Sequence, residues 1–261
     1  MKDFKLINDA ILNFIKDTVK LNNFNGVVLG LSGGIDSAVT AYCAVQSLGS
    51  KAVFGLLLPD REITPQQDID DALKICEILK IEYKLIFINE IKKKFFEIVE
   101  YTDQKLVKGN LVARFRMCIL YYYANLFNRL VLGTTNKTEI SIGYFTKYGD
   151  GASDFSPLAD LYKTQVKEFA RYLNIPDEII EKKSSARLWE NQQTEDELGL
   201  SFEELDTLLM YISKQDPFDQ SLLFSLQKEF PSIPIEKSNY VLSLIKKNRH
   251  KLNNPLICYF N

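Results

Sequence analysis

Histidine is nearly absent from this chain: His250 is the only one in 261 residues. A mechanism that relies on a histidine to activate a nucleophile therefore has little to draw on. Cysteine is sparse as well. Cys43, Cys76, Cys118 and Cys258 form no CxxC and no Cys/His cluster, so a zinc site is excluded on spacing. Cys43 and Cys118 fall in apolar helical patterns and are expected to be buried, reduced thiols, a usage that fits a cytoplasmic protein. No apolar run approaches the about 18–20 residues that span a bilayer. At the N-terminus, Asp3, Asn8, Asp9, Asn13 and Asp17 interrupt any signal-peptide core. Phe4, Ile7, Ile11, Phe14 and Ile15 recur there at helical spacing and predict a packed amphipathic helix. An excess of either charge is also missing: 32 basic against 34 acidic residues gives a net charge of -2, which excludes an overall basic footprint for nucleic acid.

What is present is an ordinary globular composition, 46% hydrophobic and 25% charged, at a length that suits a single domain over 1–261. Short apolar runs at 26–31, 52–58, 83–88 and 130–133 read as strands. Helical patterns at 36–48, 66–79, 90–99 and 104–127 lie between them, and further helices are expected at 163–173 and over most of 202–249. This alternation predicts an α/β fold, a doubly wound parallel sheet with flanking helices and a helical C-terminal part. Ligands of such sheets bind at the carboxyl ends of the strands, where Leu31-Ser32 and Gly133-Thr134 sit. Periodicity disappears over 134–161 and 184–200, and loops of that length are usually functional.

Gly30-Leu31-Ser32-Gly33-Gly34-Ile35-Asp36-Ser37 joins the first of those strands to a helix. Glycines there let the backbone approach a ligand, and the free amides of the helix start face an anion. The Walker lysine of a GxxxxGK[ST] loop is missing. An acid, Asp36, stands in the anion site instead, so a divalent metal, Mg²⁺, is expected to bridge it to phosphate. A second constellation runs from Gly133 through Thr134, Glu139, Phe145, Lys147 and Asp154 to Lys163. Its hydroxyls, acids and lysines suit a nucleotide, a metal and an anionic second substrate. They suit a solvated surface loop equally well.

Ser32-Gly33-Gly34-Ile35-Asp36-Ser37 resembles the PP-motif of the ATP-pyrophosphatases, which cleave ATP between the α and β phosphates and form adenylates. Gly133-Thr134-Thr135-Asn136-Lys137-Thr138-Glu139, then Gly143 to Leu158, is similar to the long signature of the ammonia-dependent NAD synthetases. So are Ala113-Arg114-Phe115-Arg116-Met117, Lys183-Ser184-Ser185-Ala186-Arg187-Leu188-Trp189 and His250-Lys251. The chain departs from that pattern at Ser184, where the family has proline, and at Leu252, where it has another basic residue.

The resemblance implies an adenine nucleotide alpha hydrolase-like fold and a ligase that amidates deamido-NAD with ammonia and ATP, releasing AMP and pyrophosphate. It implies that Gly30 to Ser37, Thr134, Lys163 and Ser185 contact ATP and that Asp36 and Glu139 hold Mg²⁺. Arg114, Lys147, Asp154, Phe145, His250 and Lys251 would hold deamido-NAD, with Asp36, Lys163 and Asp154 closest to the chemistry. It also implies a homodimer. Only about 25 residues precede the first strand, so a glutaminase domain within the chain and a nucleic-acid or membrane partner are not expected.

Overall fold

The computed structural model describes residues 3–260. Its strands are β1 (Val27–Gly30), β2 (Val53–Leu57), β3 (Glu82–Leu85) and β4 (Leu130–Val131). All pair in parallel, in the order β3-β2-β1-β4. Helices α1 (Phe4–Leu21), α2 (Ile35–Leu48), α3 (Gln66–Leu79), α4 (Asn89–Phe96) and α5 (Lys105–Phe127) alternate with them. After β4 come α6 (Lys137–Ile142), α7 (Lys163–Tyr172), α8 (Asp177–Ile180) and α9 (Thr194–Leu198). Helices α10 (Phe202–Ile212), α11 (Leu222–Glu229) and α12 (Ile235–Asn248) complete the chain.

The period of two in the strands sorts side chains onto two faces. Val27, Leu29, Val53 and Leu57 pack with α1, α2, α3 and α7 in one core. Val28, Phe54, Leu56 and Val131 pack with Val112 and Ala124 of α5 in another. Each such buried aliphatic side chain contributes about 1.5–3 kcal/mol relative to exposure. A third core, built by α6 and α9 to α12 around Leu205, Leu208 and Leu226, contains no strand. The chain steps from β1 to β2 on one side and returns to β4 on the other, so the strand order reverses beside β1. That is the switch point at which doubly wound sheets open a crevice.

The elements differ locally from expectation. The third strand ends at Leu85 rather than 88: Ile86 and Ile88 N–H still donate to the carbonyls of Leu57 and Pro59, but Pro59 has no N–H to return a bond. The irregular stretch after β4 contains α6, nucleated by a reciprocal capping box between Asn136 and Glu139. The C-terminal helical region is broken into three near Pro217 and by Pro231 and Pro234. Cys43 is buried as expected, but Cys118 is exposed. Helix α5 turns Val112, Ala113 and Ala124 inward and leaves Cys118 and Tyr122 on its outer side. Among the described residues no helix is long and apolar enough to cross a membrane.

Candidate active site

The ends of β1, β2 and β4 open into a cavity of about 280 Å³. Ser32, Gly34, Asp36 and Ser37 line it from the turn after β1 and the start of α2, and Thr134 and Glu139 from the loop after β4 and α6. Gly33 takes φ +74°, and a Cβ there would lie 2.1 Å from the carbonyl oxygen of Asp68. Glycine is required at this position for both reasons. The serines close the turn on itself. Ser37 Oγ donates to the Gly34 carbonyl at 2.9 Å, and Gly34 N–H donates to Ser32 Oγ at 3.3 Å. The positive end of α2 then faces the cavity.

Asp36 and Lys163 come together at the floor, although 127 residues separate them. Lys163 opens α7 and is buried, and its ammonium is ion-paired with Asp36. Burial alone would lower its pKa, but Asp36 and Glu139 outweigh burial and raise it. Asn136 Nδ2 donates to Asp36 Oδ1 at 3.0 Å. Burial first, and the charge of Asp36 second, push the Glu139 carboxyl up to about 8, while Lys163 opposes both. Two nearby carboxylates, one of them strongly disfavoured as an anion, suit a hard divalent cation. Mg²⁺ commonly takes one or two carboxylates and completes its shell with phosphate oxygens and water. Asp36 and Glu139 supply oxygen donors of that kind; among the described residues no group of three or more Asp, Glu, His or Cys is placed to hold a metal by itself.

A buried relay fixes Lys163. Its backbone N–H donates to Thr138 Oγ1 at 2.8 Å, and Thr138 donates to Asp206 of α10. The other oxygen of Asp206 accepts Thr164 N–H at 2.8 Å. The third core thus reaches into the site through one carboxylate.

Several charged lining residues carry no role in the sequence reading, among them Arg116, Asp150, Lys182 and Arg187. Arg116 donates Nε to the Leu58 carbonyl at 3.0 Å and has no ion pair among the described residues. Asp150, raised in pKa by burial, accepts Thr146 N–H at 2.9 Å. Lys182 and Arg187 project from the segment before α9. Arg116 and Asp150 lie inside the quoted motifs, so their position was visible but their direction was not. Ser185 does line the cavity, and its Oγ accepts the N–H of Arg187 at 3.1 Å.

The residues expected to hold the second substrate lie to one side. Phe145, Lys147 and Lys251 line a second cavity of about 270 Å³, which adjoins the first because Ala152 lines both. Lys147 Nζ donates to the His250 carbonyl at 2.6 Å, so His250 is engaged there through its backbone. Lys251 Nζ donates to the carbonyls of Gly143 and Phe145 at 2.7 and 2.8 Å. Arg114 Nη2 reaches the Lys147 carbonyl at 3.3 Å. Asp154 accepts the N–H of Val131 at 2.7 Å and the hydroxyl of Tyr121 at 3.4 Å.

A family model described as NAD synthase matches residues 7–255. The NH(3)-dependent NAD(+) synthetase of Archaeoglobus fulgidus is 46% identical over 253 residues, 97% of this chain and 96% of its own. The chain belongs to the NAD synthase family. Solved structures agree. NMN synthetase from Francisella tularensis superposes with a TM-score of 0.86 at 35% identity, covering 100% of both chains. The NH3-dependent NAD synthetase from Campylobacter jejuni superposes at 0.80 and 34% identity, over 99% of this chain and 100% of that one. The parallel sheet with its flanking helices is therefore the fold of NAD synthases, as its resemblance to the adenine nucleotide alpha hydrolase-like class implies.

Proposed function

We propose that this NAD synthase family member is a ligase that amidates the nicotinate carboxylate of deamido-NAD with ammonia, cleaving ATP to AMP and pyrophosphate. The observation that carries the reading is the floor of the main cavity. A lysine-free phosphate loop faces an acid–lysine pair, Asp36 and Lys163, with Glu139 beside it. A carboxylate oxygen of the acceptor attacks the α-phosphorus, the bond to the β-phosphate bridge breaks, and pyrophosphate leaves. Ammonia then attacks the acyl carbon of the adenylate, loses a proton, and displaces AMP.

The chain contributes mainly position and charge. Gly34 N–H and the hydroxyls of Ser32 and Ser37 receive the departing pyrophosphate. Thr134 and Ser185 flank the ATP phosphates. Lys163 turns from Asp36 to the negative charge that develops on the α-phosphoryl group. Asp36 and Glu139 would hold Mg²⁺, which supplies positive charge to the phosphate oxygens when bound. The adjoining cavity, with Phe145, Lys147 and Lys251, receives the dinucleotide, with Arg114, Asp154 and His250 around it. A homodimer would pair through the outer side of α5, where Cys118, Tyr122 and Leu126 are exposed one turn apart.

The test is product analysis by mass spectrometry with ATP, Mg²⁺ and ammonium. AMP and pyrophosphate are expected to appear only when deamido-NAD is present. A clear preference for nicotinate mononucleotide would move the assignment to NMN synthesis, the activity named for the Francisella relative. Release of ADP would refute the reading outright.

A further inference from the structure

The pyrophosphate turn is held from behind. Lys182 Nζ donates to the Gly33 carbonyl at 2.9 Å and to Asp68 Oδ1 at 3.0 Å, and it is ion-paired with Asp71. The ammonium is thereby held on three sides, by one carbonyl and two carboxylates. Asp68 and Asp71 lie three apart on α3, so they share one helix face. Both are buried, with side chains only 5% and 4% exposed. Arg187 closes the arrangement from the other side: its Nε lies 2.7 Å from the second oxygen of Asp68. Two buried carboxylates thus meet two cations, the balance such groups need in order to be tolerated. Arg187 also adopts φ +49°, a left-handed backbone that a non-glycine residue takes only where its surroundings impose it.

The consequence lies in the geometry of one peptide unit. In a trans peptide the carbonyl and the following N–H point in opposite directions. Among the described residues there is no cis bond. A Gly33 carbonyl tied to Lys182 therefore sets the Gly34 N–H toward the opposite side. Gly34 lines the cavity, whereas Gly33 rests on the backbone of Asp68.

We propose that Lys182, Asp68 and Asp71 are positioning residues of the pyrophosphate site. They pin the Gly33 carbonyl so that the Gly34 amide, held meanwhile by a long 3.3 Å bond to Ser32 Oγ, is set for the leaving group before ATP arrives. Lys182 does not bind phosphate; it sets the donor that does. The same contacts fasten the segment carrying Ser185 across α3, so the hydroxyl of that segment and the amide of the turn are placed by one network. The inference rests on the ATP-cleaving reading above.

The experiment compares wild type, Lys182→Met, Lys182→Arg and Asp71→Asn as full-length chains. It measures pyrophosphate as a product inhibitor, the KM for deamido-NAD, and the thermal unfolding midpoint. A misplaced amide donor to a charged acceptor is expected to weaken pyrophosphate inhibition roughly ten- to a hundredfold in Lys182→Met. The KM for deamido-NAD should stay within twofold, on the order of the scatter for a site with no shared partner. Lys182→Arg should recover part of the loss, and Asp71→Asn should show a smaller one because Asp68 remains. If Lys182→Met yields no folded protein, Asp71→Asn carries the test. Pyrophosphate inhibition unchanged in the folded variants, or weakened in parallel with deamido-NAD binding, would overturn the proposal. A wild-type chain that releases no pyrophosphate at all overturns the functional reading and this inference with it. Pyrophosphate release with indifferent variants overturns this inference alone.

Discussion

Asp206 offers the sharpest test of how the C-terminal helices serve the site. It lies on α10, far in sequence from the phosphate loop, and is 1% exposed. Its two oxygens accept from two different donors, the hydroxyl of Thr138 and the N–H of Thr164. A carboxylate accepts on both oxygens, whereas an amide of the same shape accepts on one and donates on the other. Asp206→Asn therefore cannot satisfy both partners. If its amide nitrogen faces Thr164, two N–H groups confront each other. If it faces Thr138, that hydroxyl meets the Asn N–H and the Lys163 N–H together and loses its own acceptor.

One buried donor is left unpaired either way, which costs about 1–3 kcal/mol. The strain falls on the first turn of α7, where Lys163 N–H and Thr164 N–H are held. A displacement of about 1 Å at a charged group in an active site lowers turnover by up to ~10²-fold. The expected outcome is a urea midpoint lowered by the equivalent of about 1–3 kcal/mol, together with a kcat for pyrophosphate release reduced at least about tenfold. Asp206→Ala, which strands both donors, should do worse on both measures. An Asp206→Asn protein with wild-type stability and wild-type kcat would refute the claim that this relay positions Lys163.

Two further outcomes follow from the geometry. Burial alone would raise the pKa of Asp60, but Lys92, the N–H of Glu62 and Asn89 outweigh burial and hold it below the usual carboxylate range. Its stabilising contribution is therefore fully present above the unfolded value of about 3.9 and is lost as pH falls through the lower folded value. Urea midpoints measured down the acid limb should fall less steeply in Asp60→Asn than in wild type, and parallel limbs would contradict this. On the outer side of α5, Tyr122 is 63% exposed. Tyr122→Glu would bury a charge if that face pairs with a second copy, at a cost of several kcal/mol. Light scattering should then show wild type at twice the chain mass and the variant at the chain mass; a wild-type monomer would remove the dimer.

The parts of this molecule legible in the sequence are those that physical chemistry writes locally. Continuous apolar runs in β1 and β2 announce buried parallel strands because both faces of each strand are covered. The phosphate loop is legible because glycine and serine at a strand–helix junction have few other uses. Asp206, Asp68 and Asp71 were not legible. On a helical wheel each is an ordinary solvated acid. Each becomes a buried ligand of a particular lysine or amide only when a distant segment lies across it. The error at Cys118 has the same origin: α5 is apolar nearly all round, so periodicity could not say which side meets the sheet. Thr134, Glu139 and Lys163 were found through resemblance. Composition alone left that stretch as plausible for a surface loop as for a site.

A formal charge of -2 looks unsuited to a chain that would bind two polyanions. The cavity resolves the difficulty locally. Four carboxylates line it, Asp36, Asp68, Glu139 and Asp150, against five cations, Arg116, Lys163, Lys182, Lys183 and Arg187. Most of these cations are already engaged: Lys163 with Asp36, Lys182 with Asp68 and Asp71, Arg187 with Asp68. A site of this kind has no large positive field to stabilise and no buried lysine left without a partner. In the proposed reaction, phosphate would compete with Asp36 for Lys163, and Asp36 would be released to hold a divalent cation with Glu139. The acid in the phosphate loop is thus the group that lets Lys163 wait, charged and buried, for its substrate. Removing Asp36 would take away the only ion-pair partner of buried Lys163 among the described residues and leave Glu139 as its nearest acidic support. A variant at Asp36 is therefore expected to disturb the floor of the site even before ATP is added.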